Sequence, residues 1–481
     1  MRSSPISRVL PLALGIALAA TSFIQAQELP QDLLTYRFAD GHVKLGIEAG
    51  IQVVSENRSF WNLSRSFAPA SAYKTSMVWG EAYFKPSLNF EKRLGLAALY
   101  GGASLVAART LGRDIFDARD KGRVLLENAY GGVKFGTPGK GFFADFSAGA
   151  QPYRIGSGML IADGGQDGFE RGALVFGPRS AWAMTGIAKF GYGAFSIEGF
   201  YLDPNEYASS NTKTTLGGLH ATYMLGDRQS IGIAFGKALT SKAPYAKAAP
   251  GGVGIPAVLM DARKDLMFMQ AYGRWNPLAS LPGLWLAGDF AYQSNDRVNM
   301  RAWAGRAEIG YAFTNLPFAP TLSYSWQTFS GDDPATGRLE RFDPLFYDGS
   351  PSGWATGSNG SFMLINTNVN AHRFTLSMFA SPRDIVSLRY AHVRANQLNS
   401  PIQFGQATRF AFTNGIPGLI AGVRKAHLSD EFLAEYTRVL TPNAFLTFGV
   451  AYSIAGPGLR GLTTSRLPDW YAGFANLVVK Y

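Results

Sequence analysis

The chain has 481 residues, a formal net charge of +11, 55 glycines, 13% aromatic residues and no cysteine, which excludes disulfides and thiolate metal centres. Mean hydropathy is near zero, and beyond the first residues no run approaches the ~18 apolar residues of a membrane helix. A helical membrane protein is therefore excluded, but a transmembrane β-barrel is not, because its alternating strands hide their lipid-facing residues from a hydropathy average.

The chain begins MRSSPISRVLPLALGIALAATSFIQA. Arg2 and Arg8 form a positive region, residues 9–24 an apolar run, and Ala26 a small residue at which a signal peptidase can cut. Residues 1–26 are expected to be a signal peptide, so the mature chain is exported and carries +9 once those two arginines are gone. The stretch from Gln27 to Asp40 is too short for a globular plug.

Period-two patterns then follow along the chain. Val43, Leu45, Ile47 and Ala49 alternate with His42, Lys44, Gly46 and Glu48. Val78, Ala82, Phe84, Leu88 and Phe90 alternate with Glu81, Tyr83, Lys85, Ser87 and Asn89. Further on, Met267, Met269, Ala271 and Trp275 alternate with Gln270, Tyr272 and Arg274, and Leu322, Tyr324 and Trp326 with Ser323, Ser325 and Gln327. Such alternation reads as half-buried strands. A soluble sandwich shares it.

The connections discriminate. Short turn sequences stand at EKRLG (91–95), TPGKG (137–141), GYG (191–193), GDRQ (226–229), NPLASLPG (276–283), NLPFAP (315–320), SPRD (381–384) and LTPN (440–443). Longer irregular segments fall between them at 154–179, 241–263, 331–368 and 397–427. Eight hairpins plus strands at 43–54 and 469–481 make eighteen. The fold class is therefore all-β: residues 27–481 form one transmembrane antiparallel β-barrel of about 18 strands, with short periplasmic turns and long extracellular loops. Phe90, Phe135, Phe190, Trp275 and Phe313, just before turns, are expected to form the periplasmic aromatic girdle. No repeated motif suggests a propeller. The terminal WYAGFANLVVKY alternates back from Tyr481 and resembles the signal read by the outer-membrane barrel assembly machinery.

GDDPATGRLERFDPLF, after the SYSWQTFS strand, and GAQPYRIGSGMLIADGG (149–165), followed by the arginine of GPRSAW (177–182), resemble motif regions of the alginate-export-type outer-membrane barrel porins. Ala150 stands where that family often has arginine. The resemblance runs roughly from residue 125 to 455 and implies an eighteen-stranded monomeric channel for acidic polysaccharide or other hydrophilic solutes.

Residues 331–349 then fall on a long extracellular loop rich in glycine and proline. Three readings stay open for it: a solvated loop, a loop whose Asp332, Asp333, Asp343 and Asp348 hold Arg154, Arg171 or Arg179, or a calcium site made of oxygen ligands. With Arg338 and Arg341, these arginines place much of the positive charge on loops and rim.

Strand phase assigns Lys44, Lys85, Lys134, Arg274, Arg306, Arg373 and Arg389 to the lumen, against Glu48, Glu81, Asp145, Glu198, Asp289, Glu308 and Glu435. Rings of charge set ion preference in a pore, and this balance predicts mild anion preference at most. The lumen-phase Tyr83, Tyr130, Tyr153 and Tyr272 are expected to pack beneath inward loops rather than stack on sugars. An outer-membrane enzyme or a surface-binding protein is the alternative. Yet the five histidines form no HExxH pair, and the lumen-phase His220 reads as structural. No resident cofactor or metal is otherwise expected. The partners are outer-membrane lipid and the transported solute. The basic charge lacks the cluster that nucleic-acid binding requires, and location excludes it.

Overall fold

The protein is described by a computed structural model covering residues 34–67, 70–226, 229–252, 254–349, 354–401, 411–413, 416–418 and 422–481; the expected leader, 1–26, lies outside the described residues. Extended backbone follows the alternating segments. A short β1 (Thr35–Phe38) precedes β2 (Gly41–Asn57), β3 (Ser76–Leu94), β4 (Ala97–Leu111), β5 (Gly122–Phe135) and β6 (Phe142–Ala150). Next come β7 (Met184–Tyr192), β8 (Phe195–Asp203), β9 (Thr215–Gly226) and β10 (Gln229–Thr240). A loop hairpin of β11 (Tyr245–Lys247) and β12 (Ala257–Leu259) intervenes. The wall resumes with β13 (Met267–Trp275), β14 (Leu284–Asn295), β15 (Met300–Ala312), β16 (Thr321–Phe329), β17 (Val369–Ser381) and β18 (Asp384–Ala395). After a second loop hairpin, β19 (Ala411–Thr413) and β20 (Ile416–Gly418), it ends with β21 (His427–Thr441), β22 (Ala444–Ala455) and β23 (Trp470–Lys480).

Setting aside β1 and the two loop hairpins, the strands form a closed antiparallel barrel of eighteen. Each pairs with its predecessor, and β2 closes on β23 from Glu48↔Lys480 to Asn57↔Tyr471. Closure is what lipid requires, since an open edge leaves backbone donors and acceptors with no partner there. The seam has an unforeseen feature. β23 is shorter than β2, and where it stops β1 pairs with the remainder of β2, Thr35↔Lys44 to Phe38↔Gly41. Between them, the Tyr481 amide donates to the Ile47 carbonyl at 2.8 Å and its carbonyl accepts from the Ile47 amide at 3.1 Å.

The wall's two faces follow the alternation. Leu45, Ile51, Phe84, Leu88, Phe374 and Phe432 are exposed on the outside, while their neighbours Glu81 and Tyr83 are buried inside. All five aromatics expected at the turn end are exposed there: Phe90, Phe135, Phe190, Trp275 and Phe313. Farther up the outer face Tyr324, Phe374, Tyr390, Phe432, Tyr452 and Tyr471 lie in one cross-strand row, which climbs from the lower half of β16 to the loop end of β23. Neighbouring rings in it are 4.9–6.4 Å apart. Aromatics thus ring the turn end and run along this row on the apolar outer face, where lipid-facing girdles of outer-membrane barrels stand. Among the described residues no helix is long and apolar enough to cross a membrane.

An eighteen-strand barrel leaves a wide interior. Here loops enter it, and the largest buried cluster lies between them and the wall. Trp61, Trp182, Trp354, Trp470, Phe342, Met159, Leu160 and Ile161 are all essentially inaccessible.

Candidate pore

Two long connections meet inside the barrel. The 151–183 segment leaves β6 and the 330–368 segment leaves β16, and they pair in parallel at Ile161 and Phe346. The Phe346 amide donates to Leu160, the Ala162 amide to Phe346 and the Asp348 amide to Gly158, each at 2.9 Å. Loop backbone inside a barrel must find such partners. The wall supplies others. Glu81 accepts from the Val175 and Phe176 amides at 3.1 and 2.9 Å, and Glu127 from those of Ser180 and Ala181 at 2.8 Å. Lys85 donates to the Pro178 carbonyl at 3.2 Å, and the Ser157 hydroxyl donates to Asp289. Gly156 lies against the Tyr272 ring in the left-handed region (φ +51°), where a Cβ would stand 2.6 Å from ring carbons.

The 330–368 segment is anchored in the same way. Gln293 of β14 exchanges two hydrogen bonds with the Asp343 backbone at 2.6 and 2.9 Å. Arg373 donates to the Ala355 carbonyl at 2.9 Å, and the Arg306 guanidinium lies 4.2 Å from the Trp354 ring centre.

The solvated reading of 331–349 is therefore corrected. Asp332, Arg341, Phe342 and Asp343 are buried, because the loop folds inward onto the connection 241–266. Asp343 takes a two-pronged ion pair from Arg263 (2.7 and 3.0 Å) and a hydrogen bond from the Tyr245 hydroxyl at 2.5 Å. Burial works against both charges, but mutual attraction prevails: Asp343 is held below its ordinary value and Arg263 above its own. Burial lowers Arg341, which stands over the Tyr245 ring, despite the nearby Asp343. Asp332 accepts from the Ala248 and Glu340 amides at 2.6 and 2.8 Å, and Asp333 from the Ala335 amide at 2.9 Å. Arg338 stays exposed at the tip.

Of the three arginines expected on these acids, Arg154 reaches one, Asp348, at 2.8 Å. Arg179 instead pairs with Asp167 of its own loop at 2.7 Å. Arg171 is buried and donates to the carbonyls of Gln166, Asn205 and Glu206 and to the Asn205 side chain. Both are too deeply embedded in the 151–183 loop to serve its neighbour. Asp163, beside the loop pairing, is pushed up to about 7 by burial and then by Asp348, against Arg154. Burial also lifts Asp167 to about 6 against the pull of Arg179.

On the wall, all fourteen strand residues assigned to the lumen lie on the interior phase, opposite the exposed apolar set, but their roles differ. Asp289 pairs with Arg306 at 2.9 Å, and Glu81 is occupied by loop amides. Lys134 pairs with Glu91 at 2.8 Å. Arg373 is buried under its loop, and Arg389 is half-buried on the adjacent strand. Toward the turn end, Glu308 accepts from the Trp285 indole at 3.1 Å, Arg274 lies 4.8 Å from the same ring, and Lys44 is exposed. Tyr83 packs on Phe176 at 5.3 Å, Tyr272 on Gly156, and Tyr153 is buried with its hydroxyl on Glu198 at 3.0 Å. Tyr83 and Tyr272 pack beneath the inward loop as expected; Tyr153 is corrected from a lumen-phase wall residue to a residue of the loop itself, beyond the end of β6, and Tyr130 lies 6.3 Å from Tyr100 on the wall. His220 is buried, with both ring nitrogens engaged, by Glu198 at 2.6 Å and Tyr272 at 2.8 Å. Arg263, Tyr245, Glu127 and Asp163 escaped the sequence reading, because each acts through a partner on another loop or on the wall.

The sequence matches the family described as alginate export over residues 108–422, about two thirds of its length. In fold it is similar to Pseudomonas aeruginosa OccK8 (OprE), with TM-score 0.50, 9% identity, and 91% of this chain and 98% of that one covered. It is also similar to OccK5 (OpdH) of the same organism, with TM-score 0.48, 11% identity and coverage of 91% and 98%. OmpT, an outer membrane protein of Vibrio cholerae, aligns with TM-score 0.37, 10% identity and coverage of 93% and 99%. At such identities the likeness is one of fold. No curated protein sequence matches. The family match spans most of the wall and both inward loops, and on that basis the chain belongs to the alginate export family.

Proposed function

We propose that this outer-membrane channel passes anionic hydrophilic solutes, an acidic polysaccharide such as alginate among them, through a constriction made by the 151–183 and 330–368 loops. The supporting observation is how the interior charges are used. Glu81 and Asp289 are engaged by loop amides and by Arg306, whereas Lys44 and Arg274 near the turn end keep exposed side chains. In a low-dielectric wall, cations left available in this way focus an attractive field on anions. The preference is expected to be mild, because Lys134 and Arg306 are themselves paired with acids.

The protein acts as a monomer without enzymatic activity, exported by cleavage near Ala26 and handed to the barrel assembly machinery through the strand ending in Tyr481. In this reading His220, buried between Glu198 and Tyr272 under the inward loop, packs the wall rather than turning over substrate. Calcium is not part of this reading, since the loop carboxylates of Asp332 and Asp343 are served by amides and arginine.

The test is the reversal potential of single channels in a planar bilayer under a salt gradient, with and without oligouronate. Anion preference with oligouronate block supports the proposal. Unselective conductance without block replaces it with a general porin, and no conductance refutes an open pathway.

A further inference from the structure

The outer face of the barrel carries one polar cluster that permeation does not use. On β18 the exposed Leu388 is followed on the same face by Tyr390 and His392, while Ala391 and Val393 are buried on the other. On β21 the exposed Phe432 is followed on that outer face by Asp430. Tyr390↔Phe432 belongs to the cross-strand aromatic row, and His392↔Asp430 is the next pair on the same face toward the loops. His392 and Asp430 each stand three residues from the loop end of their strand, on the rim side of the exposed Leu388 and Phe432. One step further the register slips, so that Val393 faces Ser429 but Arg394 faces His427. Such an irregularity re-aims a side chain, and here it brings His427 onto Asp430.

His392 Nδ1 lies 2.7 Å from Asp430 Oδ1, His427 Nε2 lies 2.9 Å from Oδ2, and the two rings are 4.5 Å apart. The three ligand atoms all fall within 4.8 Å of one another. The Tyr390 hydroxyl donates to Asp430 Oδ1 at 2.8 Å and fixes the carboxylate. Each of the three residues is half-buried.

We propose that His392, His427 and Asp430 form a transition-metal site of the zinc class, which bridges β18 and β21 on the outer rim. Two imidazoles and one carboxylate match the borderline ligand preference of zinc, whose bonds of about 2.0–2.2 Å set tetrahedral ligand atoms roughly 3.3–3.6 Å apart; the two hydrogen-bond contacts to Asp430 would open by about half an ångström to admit the ion. Imidazole nitrogen disfavours calcium and magnesium, which select oxygen. Three protein ligands leave the fourth position to water. The nearby His372, with its ring 6.5 Å from that of His392, accepts from or donates to the Tyr324 hydroxyl at 2.8 Å and stays outside the ligand set. The metal would clamp both feet of the connection between β18 and β21, without contact with the lumen.

The test uses full-length, untagged protein in detergent, stripped with EDTA and titrated with Co²⁺, with the visible d–d absorption as readout and Zn²⁺ as competitor. One equivalent should bind, zinc should displace it, and calcium or magnesium should not. His392→Ala and Asp430→Asn should abolish the band, while His220→Ala, on the interior face, should keep it. Tyr390→Phe should keep the stoichiometry and weaken binding by roughly tenfold or more, as loss of a group orienting a metal ligand does. Heat-modifiable gel mobility verifies that each variant is a folded barrel, and His427→Gln substitutes for any that is not. No saturable band in the wild type, or an undiminished band in a folded His392→Ala variant, overturns the site and leaves an ordinary hydrogen-bonded rim.

Discussion

Replacing Asp343 by asparagine should free the 330–368 loop while the wall stays intact. The aspartate receives two hydrogen bonds from Arg263, at 2.7 and 3.0 Å, and one from Tyr245, with both charged side chains almost wholly buried. The variant leaves Arg263, and Arg341 beside Tyr245, with no carboxylate at that spot. Removing one partner of a buried pair costs roughly 3–5 kcal/mol, which is about a hundredfold to a few thousandfold in the ratio of docked to released loop. The wall's ladders do not pass through this pair, so the loss should appear as loop release. Single-channel recordings should show larger and noisier conductance. Trypsin should cut at Arg341, which is buried in the parent. Arg263→Met combined with Asp343→Leu removes both charges and should recover most of the docking. A folded Asp343→Asn barrel with unchanged conductance and unchanged protease resistance would refute the reasoning.

Three further outcomes follow from the same geometry. Asp163 sits at about 7 in the folded protein against an ordinary 3.8, so it prefers to be protonated there; its contribution to loop packing is full below about pH 4 and is lost as pH rises through about 7. Single-channel noise should therefore grow between about pH 4 and 7 and level off above it, and Asp163→Asn should flatten that dependence; an unchanged slope would assign it to another group. Gly156→Ala places a methyl group against Tyr272 at a positive φ and should loosen the 151–183 loop by about 1–3 kcal/mol, read as faster proteolysis that Tyr272→Leu partly reverses. Lys44→Glu with Arg274→Glu should move the reversal potential toward cation preference, and no movement would take both side chains off the permeation path.

The wall was legible because its cause is local. A strand in lipid must alternate, and a hairpin must have turn residues, so NPLASLPG and SPRD marked their places without knowledge of any partner. Both turns lie where the backbone reverses, at 276–283 and 382–383. The loops were illegible for the opposite reason. Asp343 finds Arg263 eighty residues away in sequence and Tyr245 ninety-eight away, and nothing near GDDPATG announces either. The acidic look of that stretch left a solvated loop among its readings, whereas Asp332 and Asp343 are buried on partners in the interior. Likewise His392 and His427 share no motif spacing. Strand register alone brings them to one carboxylate.

The seam between β2 and β23 has a kinetic consequence. Its ladder joins Glu48 to Lys480, so nearly the whole polypeptide must be made before the pairing can begin. Contacts of such sequence separation form late, because the entropy of closing the intervening chain precedes any gain from the ladder. The hairpin of β1 and β2 needs no such wait: Thr35–Phe38 folds back on residues only a few positions away, so little closure entropy precedes its ladder. The first strand would then reach the membrane with part of its edge already covered, and only the stretch reserved for the last strand left sticky. Order of arrival, written into the unequal lengths of two neighbouring strands, would thus guard the newborn wall from pairing with the wrong chain.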